Sequence, residues 1–239
     1  MTRVHGRQSH LSARFAPLRI LAQVGTLALL VNLLLATVNP AARAEPPIRL
    51  VAFGDSLTAG LGLPSSKAFP AQLSRALKEK GRTVDIENAG VSGDTTAQGL
   101  KRFDWAIPEG TEAVILELGG NDILRGIDPE RARANLDKIL EKLKARNIEV
   151  LITGMKAPEN WGADYAAAFN PIYDDLAKKY GALLYPFFLD GVAMENKLNQ
   201  SDGIHPSAKG VALIVERILP SVEQLIERVE ARRQATGKS

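Results

Sequence analysis

The sequence predicts a doubly wound α/β domain with a five-stranded parallel sheet, and three observations support this fold class. Short apolar runs alternate with helical patterns from residue 48 onward. Several of these runs are continuously apolar, as expected for strands that are buried on both faces. The 195 residues after residue 44 contain no linker and no internal repeat, which indicates one domain over 45–239.

Five apolar segments of four to six residues are the predicted strands. They are Ile48–Phe53, Thr83–Asn88, Ala113–Leu118, Glu149–Thr153 and Ala182–Tyr185. Parallel sheets of this class bind their ligands beyond the carboxyl ends of the strands. The loops that follow these segments are therefore the expected position of a functional site.

Five segments between and after the strands have helical patterns. They are Lys67–Lys80, Thr95–Trp105, Pro129–Arg146, Asp164–Tyr180 and Ser207–Arg228. Gly81 and Gly181 follow the first and fourth segments and are C-cap signals, and Asp128 is the expected N-cap of the third. Pro220 lies inside the last segment and is expected to kink or split that helix.

Residues 1–44 have the pattern of a secretory signal peptide. Their charged residues are all arginines, the run Ile20–Ala42 is uncharged, and Ala42-Arg43-Ala44 is an A-x-A cleavage site. The uncharged run is also long enough to span a bilayer, so an uncleaved anchor is the alternative. A buried core helix is a third interpretation, but no other segment is apolar enough to pack against it. We expect cleavage after Ala44.

Cleavage would change the electrostatic interpretation. The chain has 30 Lys and Arg against 27 Asp and Glu, a formal charge of +3 that suggests a nucleic-acid partner. The predicted signal removes five arginines and no acidic residue, so the mature chain has a charge of −2. The nucleic-acid hypothesis then loses its electrostatic support. The mature chain also has one histidine, His205, of the original three.

Several classes of function are excluded or disfavoured by missing residues and motifs. The chain has no cysteine, which excludes a disulfide scaffold, cysteine zinc sites, iron–sulfur clusters and a thiol nucleophile. It lacks a Walker A motif and a usable dinucleotide fingerprint. The G-x-S-x-G elbow is also absent, because Thr58 occupies its last position. No residues have a recognised metal-ligand spacing, so we expect neither a metal nor a cofactor.

Three strand-end loops carry residues suited to acyl transfer. Ser56, in Gly54-Asp55-Ser56, would expose a hydroxyl near backbone N–H groups. Gly90 follows the second strand and can supply a backbone N–H, and Asn121 follows the third and can donate its side-chain amide to an oxyanion. Each feature alone is more often a cap, a turn or a flexible loop.

The loop before the last helix supplies the base that a serine nucleophile needs. An unactivated serine is a poor nucleophile, and His205 is the one imidazole of the mature chain. Asp202 lies three residues earlier and can orient that imidazole and stabilise its charged form. A lone histidine is usually structural, but the acidic neighbour and the Gly/Pro-rich loop favour a catalytic function here.

Four blocks in this order resemble the GDSL/SGNH hydrolase superfamily. They are Gly54-Asp55-Ser56, Gly90, Gly120-Asn121-Asp122 and Asp202-Gly203-Ile204-His205, and none departs from the pattern. Three longer stretches, 91–96, 117–126 and 186–188, resemble the secreted bacterial arylesterase and thioesterase/lysophospholipase branch. The resemblance spans about 49–219.

The resemblance implies a three-layer α/β/α flavodoxin-like fold and ester hydrolysis without a metal or cofactor. Ser56 would be the nucleophile, His205 the general base and Asp202 its orienting acid. The oxyanion hole would consist of the Ser56 N–H, the Gly90 N–H and the Asn121 side chain.

The resemblance also implies the substrate class and the compartment. Aryl esters, short-chain acyl esters, lysophospholipids and acyl thioesters are the expected small-molecule substrates. A loop over 155–164 would contact them through Lys156, Pro158, Asn160 and Trp161. With the signal removed, we expect a monomeric periplasmic or secreted protein with no stable membrane insertion.

Two competing hypotheses belong to other classes. One is an exported lipid- or acyl-binding protein with a silent triad, and the intact blocks argue against it. The other is a metal-dependent hydrolase, which full activity after EDTA treatment would exclude.

Overall fold

The structure, a computed structural model, describes residues 1–3 and 45–237. The signal peptide predicted over 1–44 and its cleavage site therefore lie outside the described residues, apart from the first three. Within the described ranges, no helix combines the length and the apolar character needed to cross a membrane.

The five predicted strands form one parallel sheet. They are β1 (Ile48–Gly54), β2 (Val84–Gly90), β3 (Ala113–Glu117), β4 (Glu149–Thr153) and β5 (Leu183–Tyr185). Their order across the sheet is β2-β1-β3-β4-β5, and every neighbouring pair is parallel. This is the flavodoxin-like order of a doubly wound fold, so the predicted fold class is confirmed.

Burial along the strands explains their sequence patterns. β3 is buried at all five residues, and in β1 only Arg49 is exposed. β2 lies at the edge of the sheet, and its residues are exposed or only half-buried. The continuously apolar strands are therefore central, and the more polar strand is at the edge, as expected for a sheet covered on both faces.

Eight α-helices lie in the described part of the chain. They are α1 (Ser56–Ala59), α2 (Phe69–Glu79), α3 (Thr96–Ala106), α4 (Gly120–Leu124), α5 (Pro129–Ala145), α6 (Ala163–Phe169), α7 (Ile172–Tyr180) and α8 (Ala208–Thr236). Short 3₁₀ turns cover Ser65–Lys67 and Glu159–Trp161. Asp128 caps α5 by accepting the Glu130 N–H at 2.9 Å, as predicted.

One predicted helix is two helices in the structure. The segment 164–180 is interrupted between α6 and α7, where Pro171 precedes the first residue of α7. Proline has no N–H to donate to the carbonyl four residues earlier, so the hydrogen-bond ladder is interrupted there.

The last helix, in contrast, is not split. α8 continues through Pro220 and ends eight residues beyond Arg228, the predicted end. Pro220 is exposed, while Ile218 and Val222 on either side of it are buried. Packing of one apolar face against the core on both sides of the proline outweighs the single lost backbone hydrogen bond.

The reversal of strand order at β1 positions the site. From β1 the chain passes to β2 on one side and then to β3 on the other, so the loops after β1 and β3 are adjacent. Gly54 at the end of β1 pairs in register with both Gly90 and Glu117. The two shortest helices, α1 and α4, begin at these strand ends and carry Ser56 and Asn121.

Candidate active site

Ser56 lies at the first position of α1, directly beyond the end of β1. Asp55 is the N-cap of this helix, and its Oδ1 accepts the Leu57 N–H at 3.0 Å. The N–H groups of a first helical turn have no partner within the helix. Asp55 takes the Leu57 N–H, so the Ser56 N–H is the first-turn donor that an anion beside Ser56 could use. Ser56 is 8% exposed, so little of this residue is open to solvent.

A hydrogen-bonded chain joins Ser56 to His205 and Asp202. His205 Nε2 lies 2.9 Å from Ser56 Oγ, and His205 Nδ1 lies 2.7 Å from Asp202 Oδ2. With Asp202 ionised, Nδ1 carries the proton that the carboxylate accepts, and Nε2 accepts the proton of the serine hydroxyl. The structure therefore brings together the three residues that the sequence marks as nucleophile, base and orienting acid.

The loop around Asp202 keeps this carboxylate ionised. Its Oδ1 accepts the backbone N–H groups of His205, at 3.0 Å, and Ile204, at 2.9 Å. The backbone and side-chain hydrogen bonds from His205, with that from Ile204, lower the pKa of Asp202 to about 2. The carboxylate is thus fixed in the state that orients the imidazole.

Asn121 reaches the same cleft from the start of α4. Its Nδ2 donates to Asp55 Oδ2 and to the Asp94 carbonyl, each at 3.0 Å. Both amide hydrogens are thus oriented by the loops after β1 and β2. An oxyanion bound beside Ser56 would have to take over or share one of these hydrogen bonds.

Gly90 is held close to α1 for a packing reason. A Cβ at this position would lie 2.3 Å from the Ala59 nitrogen and 2.9 Å from the Asp55 carbonyl oxygen, so only glycine fits. The Gly90 N–H donates to Asn88 Oδ1 at 3.0 Å. To serve as the predicted oxyanion donor, it would have to leave this partner.

A buried carboxyl pair lies behind Ser56, and the sequence analysis did not assign it a function. Glu117, the last residue of β3, is fully buried, and its Oε2 accepts the Asp55 N–H at 3.2 Å and the Thr58 hydroxyl at 2.8 Å. Burial raises the pKa of Asp55 to about 6, and burial together with the Asp55 charge raises the pKa of Glu117 well above its usual value. The available signal was a lone acidic residue in an otherwise apolar strand.

Two further buried interactions fix the loop after β2. Asp122 accepts the Thr96 N–H at 2.8 Å and the Thr96 hydroxyl at 2.7 Å, and burial raises its pKa. Arg102 forms a buried ion pair with Asp94 and donates to the Gly54 carbonyl at 2.8 Å. The residues on the loops after β1, β2 and β3 are therefore connected by direct hydrogen bonds.

These interactions leave few free carboxylate oxygens that could bind a cation. Both carboxylate oxygens of Asp122 are used by Thr96. Among the described residues, no cluster of three or more His, Asp or Glu side chains has an arrangement suited to a metal ion.

A largely apolar cleft of about 420 Å³ opens above Ser56 and His205. Its volume is in the range of small-molecule sites. It is lined by Asp55, Ser56, Leu57, Leu61, Gly93, Gly120, Asn121, Ile123, Leu124, Met155, Lys156, Pro158, Phe187, Leu189, Ala193, Met194, Gly203, Ile204 and His205. The cleft brings together the catalytic candidates and the first part of the predicted substrate loop.

The predicted substrate residues are only partly at the cleft. Lys156 and Pro158 line it, while Asn160 is exposed and is not among the described lining residues. The side chain of Trp161 lies outside the described part. Gly90 is likewise not among the described lining residues.

Much of the apolar wall was not predicted as substrate-contacting. Leu61, from the loop after α1, and Phe187, Leu189 and Met194, from the segment after β5, line the cleft. The signal in the sequence was weak, because apolar residues in loops have no periodicity that assigns them to a face.

Comparison with known proteins agrees with this geometry. A model of the GDSL-like lipase/acylhydrolase family matches residues 52–213. Thioesterase 1/protease 1/lysophospholipase L1 of Escherichia coli K12 is 37% identical over 185 residues, which cover 77% of this chain and 88% of that protein. An arylesterase of Vibrio mimicus is 36% identical over 176 residues, which cover 73% and 88% of the two chains.

A solved structure supports the same family. AlinE4, an SGNH-hydrolase family esterase, is 48% identical, with a TM-score of 0.64 and coverage of 74% of this chain and 96% of that chain. The resemblance inferred from the four blocks is therefore confirmed. The chain belongs to the GDSL-like lipase/acylhydrolase family and is a carboxylic ester hydrolase.

Proposed function

We propose that this hydrolase forms an acyl-enzyme on Ser56, with His205 as general base and Asp202 as the acid that orients it. The observation that carries the proposal is the continuous hydrogen-bonded chain from Ser56 Oγ through His205 to Asp202 at one end of an apolar cleft. A serine with this support is an activated nucleophile.

The proposed reaction has two steps. His205 Nε2 takes the proton of Ser56 as Oγ attacks the carbonyl carbon, and the resulting oxyanion accepts hydrogen bonds from the Ser56 N–H and the Asn121 amide. The Gly90 N–H is the third proposed donor. Each such donor contributes about 3 kcal/mol to transition-state stabilisation. The leaving alcohol or thiol takes the proton from His205, and a water molecule activated by His205 then releases the acid.

The cleft supports acyl substrates with an apolar chain. Nine of its nineteen lining residues are Leu, Ile, Met or Phe, and these side chains favour an acyl or aryl group over a sugar. The relatives named for thioesterase, lysophospholipase and arylesterase activity act at the same bond types. We propose aryl esters, short-chain acyl esters, lysophospholipids and acyl thioesters as substrates of this chain, with Lys156 and Pro158 among the residues that contact them.

The proposed nucleophile is tested by Ser56→Ala, with Ser65→Ala as the matched control because Ser65 is exposed on the 3₁₀ turn. We expect wild-type and Ser65→Ala proteins to hydrolyse p-nitrophenyl butyrate and to react with a fluorophosphonate probe. Ser56→Ala should do neither. Hydrolysis by Ser56→Ala at the wild-type rate would overturn the proposal.

The substrate range is tested with a chain-length series of p-nitrophenyl esters beside lysophosphatidylcholine and palmitoyl-CoA. A preference for longer chains would favour lysophospholipids or acyl thioesters, and a maximum at acetate or butyrate would favour short esters. Saturable binding of acyl chains without turnover of any of these compounds would instead support the acyl-binding alternative.

We further propose that the enzyme is exported, as a monomer, to the periplasm or the medium through residues 1–44. The support is the charge pattern and the A-x-A site of that segment. A mature protein that begins at Glu45 in the periplasmic or culture fraction is the expected result. Retention of residues 1–44 in the membrane fraction would favour the anchor, and size-exclusion chromatography tests the monomer.

A further inference from the structure

The Asp55 carboxylate holds two parts of the proposed site at once. Its Oδ1 caps α1 through the Leu57 N–H, and its Oδ2 accepts Asn121 Nδ2, each at 3.0 Å. The position of the helix that begins at Ser56 and the orientation of the Asn121 amide therefore both depend on this one side chain. What orients Asp55 is thus relevant to catalysis.

Glu117 contacts Asp55 from below, at the end of β3. One oxygen, Oε2, accepts from the Asp55 N–H and the Thr58 hydroxyl. The other oxygen, Oε1, is buried and accepts no hydrogen bond from any described donor. An ionised Glu117 would therefore have an unsolvated oxygen beside a second carboxylate, which is a costly arrangement.

A neutral Glu117 removes this conflict. A neutral Glu117 can carry its proton on Oε1, the buried oxygen that accepts no hydrogen bond from a described donor, and the carboxylate of the adjoining Asp55 can accept that proton in a hydrogen bond. Burial and the neighbouring charge both favour the neutral form, because they raise the pKa of Glu117. The pair then has a single negative charge, on Asp55.

We propose that Glu117 is a positioning residue that, as a neutral acid, donates a hydrogen bond to the Asp55 carboxylate and thereby fixes the Asn121 amide for the oxyanion. The proposal rests on the oxyanion function proposed above for Asn121. A second negative charge at Glu117 would also oppose the negative charge that develops on the substrate oxygen, so the neutral state favours the transition state.

Two substitutions at Glu117 distinguish the effect of its hydrogen bonds from the effect of its side-chain volume. Glu117→Gln keeps an acceptor toward Asp55 N and Thr58 and places an N–H₂ donor where Oε1 lies. Glu117→Met has a similar volume and can neither donate nor accept effectively. Thr153→Val is the control, because Thr153 is buried beside Glu117 on β4 and its hydroxyl bonds only the Leu116 carbonyl among the described residues.

The expected effects appear in kcat, normalised to the folded fraction. Glu117→Met should lower kcat by about ten- to a hundredfold with KM nearly unchanged, since an oxyanion donor acts mainly in the transition state. Glu117→Gln should restore kcat to about a third of the wild-type value or more, and Thr153→Val should leave kcat unchanged. A merely structural function would change thermal stability without this split between kcat and KM.

A double-mutant cycle identifies the route of the effect. If Glu117 acts through Asn121, adding Glu117→Met to Asn121→Ala should lower kcat little further. Independent, multiplying losses in kcat would overturn the proposal. So would a Glu117→Gln variant as slow as Glu117→Met, or a Glu117→Met variant with wild-type kcat.

A measurement on the wild-type protein keeps the proposal testable if Glu117→Met does not fold. In ¹³C NMR of protein labelled at glutamate carboxyl carbons, the Glu117 resonance, assigned by its absence in Glu117→Gln, should have the shift of a protonated acid at pH 6. An ionised Glu117 at pH 6 would overturn the proposal. This outcome can be told apart from a wrong assignment of the nucleophile. If Ser56 were not the nucleophile, Ser56→Ala would keep its activity, whatever the Glu117 variants show.

Discussion

At the scale of single residues, residues 45–239 contain one imidazole, and it is hydrogen-bonded on both ring nitrogens. His205 connects Ser56 and Asp202 through hydrogen bonds of 2.9 and 2.7 Å. No second histidine in 45–239 can take over this function. The catalytic proposal is therefore more easily tested here than in chains with several histidines near the cleft.

We expect His205→Ala to lower kcat for p-nitrophenyl butyrate by about four to six orders of magnitude, because the serine loses its proton acceptor. Asp202→Asn should lower kcat by about four orders of magnitude, since the wrong imidazole tautomer is then favoured. Both variants should keep the wild-type melting temperature within a few degrees. A rise in KM with unchanged kcat would assign His205 to substrate binding instead.

The Asp55–Glu117 pair predicts an unusual pH dependence of stability. A group whose pKa is higher in the folded than in the unfolded state stabilises the fold fully below its unfolded pKa, and this contribution is lost as the pH rises through the folded pKa. For Asp55 the window runs from about 3.8 to about 6, and for Glu117 it extends higher. The titratable groups that interact with this pair are His205 and Tyr173 of α7, while Arg102 of α3 donates to the carbonyl of the neighbouring Gly54.

We therefore expect Glu117→Gln to gain stability relative to wild type as the pH rises from 4 to 8. The difference in the free energy of unfolding between the two proteins, from urea titrations at each pH, isolates Glu117 from the other titrating groups. A difference that is flat with pH, or that falls, would contradict the raised pKa of Glu117.

At the scale of secondary structure elements, prediction succeeded where periodicity and burial agree. All five strands were located to within two residues at each end, because their apolar runs are bounded by polar turns. The helices α1 and α4 were missed, because four or five residues are too few to show a helical period. These two helices carry Ser56 and Asn121. The site was therefore predicted from the four sequence blocks and not from hydrophobic periodicity.

Pro171 and Pro220 show why local signals did not predict where the helices end. Pro171 separates two helices, and Pro220 lies inside one continuous helix. The residue type is the same, so the difference is set by packing: α8 buries apolar residues before and after Pro220. Helix propensity alone does not predict that tertiary packing will compensate for a proline.

Pro220→Ala should stabilise the protein. An alanine restores the N–H that can bond the Glu216 carbonyl, and proline is about 3 kcal/mol less favourable than alanine inside a helix. Proline also restricts the unfolded chain by about 1 kcal/mol, so the expected net gain is about 2 kcal/mol. Urea unfolding measures it, and kcat should be unchanged because Pro220 does not line the cleft. Destabilisation would show that α8 needs the proline for its packing.

At the scale of the whole molecule, the topology explains how distant motifs form one site. Ser56 and His205 are 149 positions apart, yet their side chains are in hydrogen-bond contact. The order of the four blocks and the strand–helix alternation made the triad and its edge of the sheet predictable. The Asp55–Glu117 pair and the apolar wall from Leu61 to Met194 were not predictable, because they depend on side-chain orientation in loops and at one strand end.

The same topology predicts that residues 45–239 are sufficient for activity. Every strand in the described part of the chain, and every described residue that lines the cleft, lies after residue 47. The first residues of this unit are held by its last helix, since Arg233 donates to the carbonyls of Pro46, at 2.8 Å, and Pro47, at 3.3 Å. Ile48, which starts β1, is 3% exposed.

We therefore expect a chain that begins at Glu45 to match the kcat/KM of the full-length protein for p-nitrophenyl butyrate. A chain that begins at Arg49 is the matched control. It lacks the two carbonyls bound by Arg233 and the buried Ile48 side chain, whose loss alone should cost about 2 kcal/mol or more in urea unfolding. Because the site lies at the opposite, carboxyl end of the strands, the kcat of its folded fraction should be unchanged. Loss of activity in the chain beginning at Glu45 would show that residues 1–44 contribute to the catalytic unit and would contradict the assignment of this segment as a removable signal.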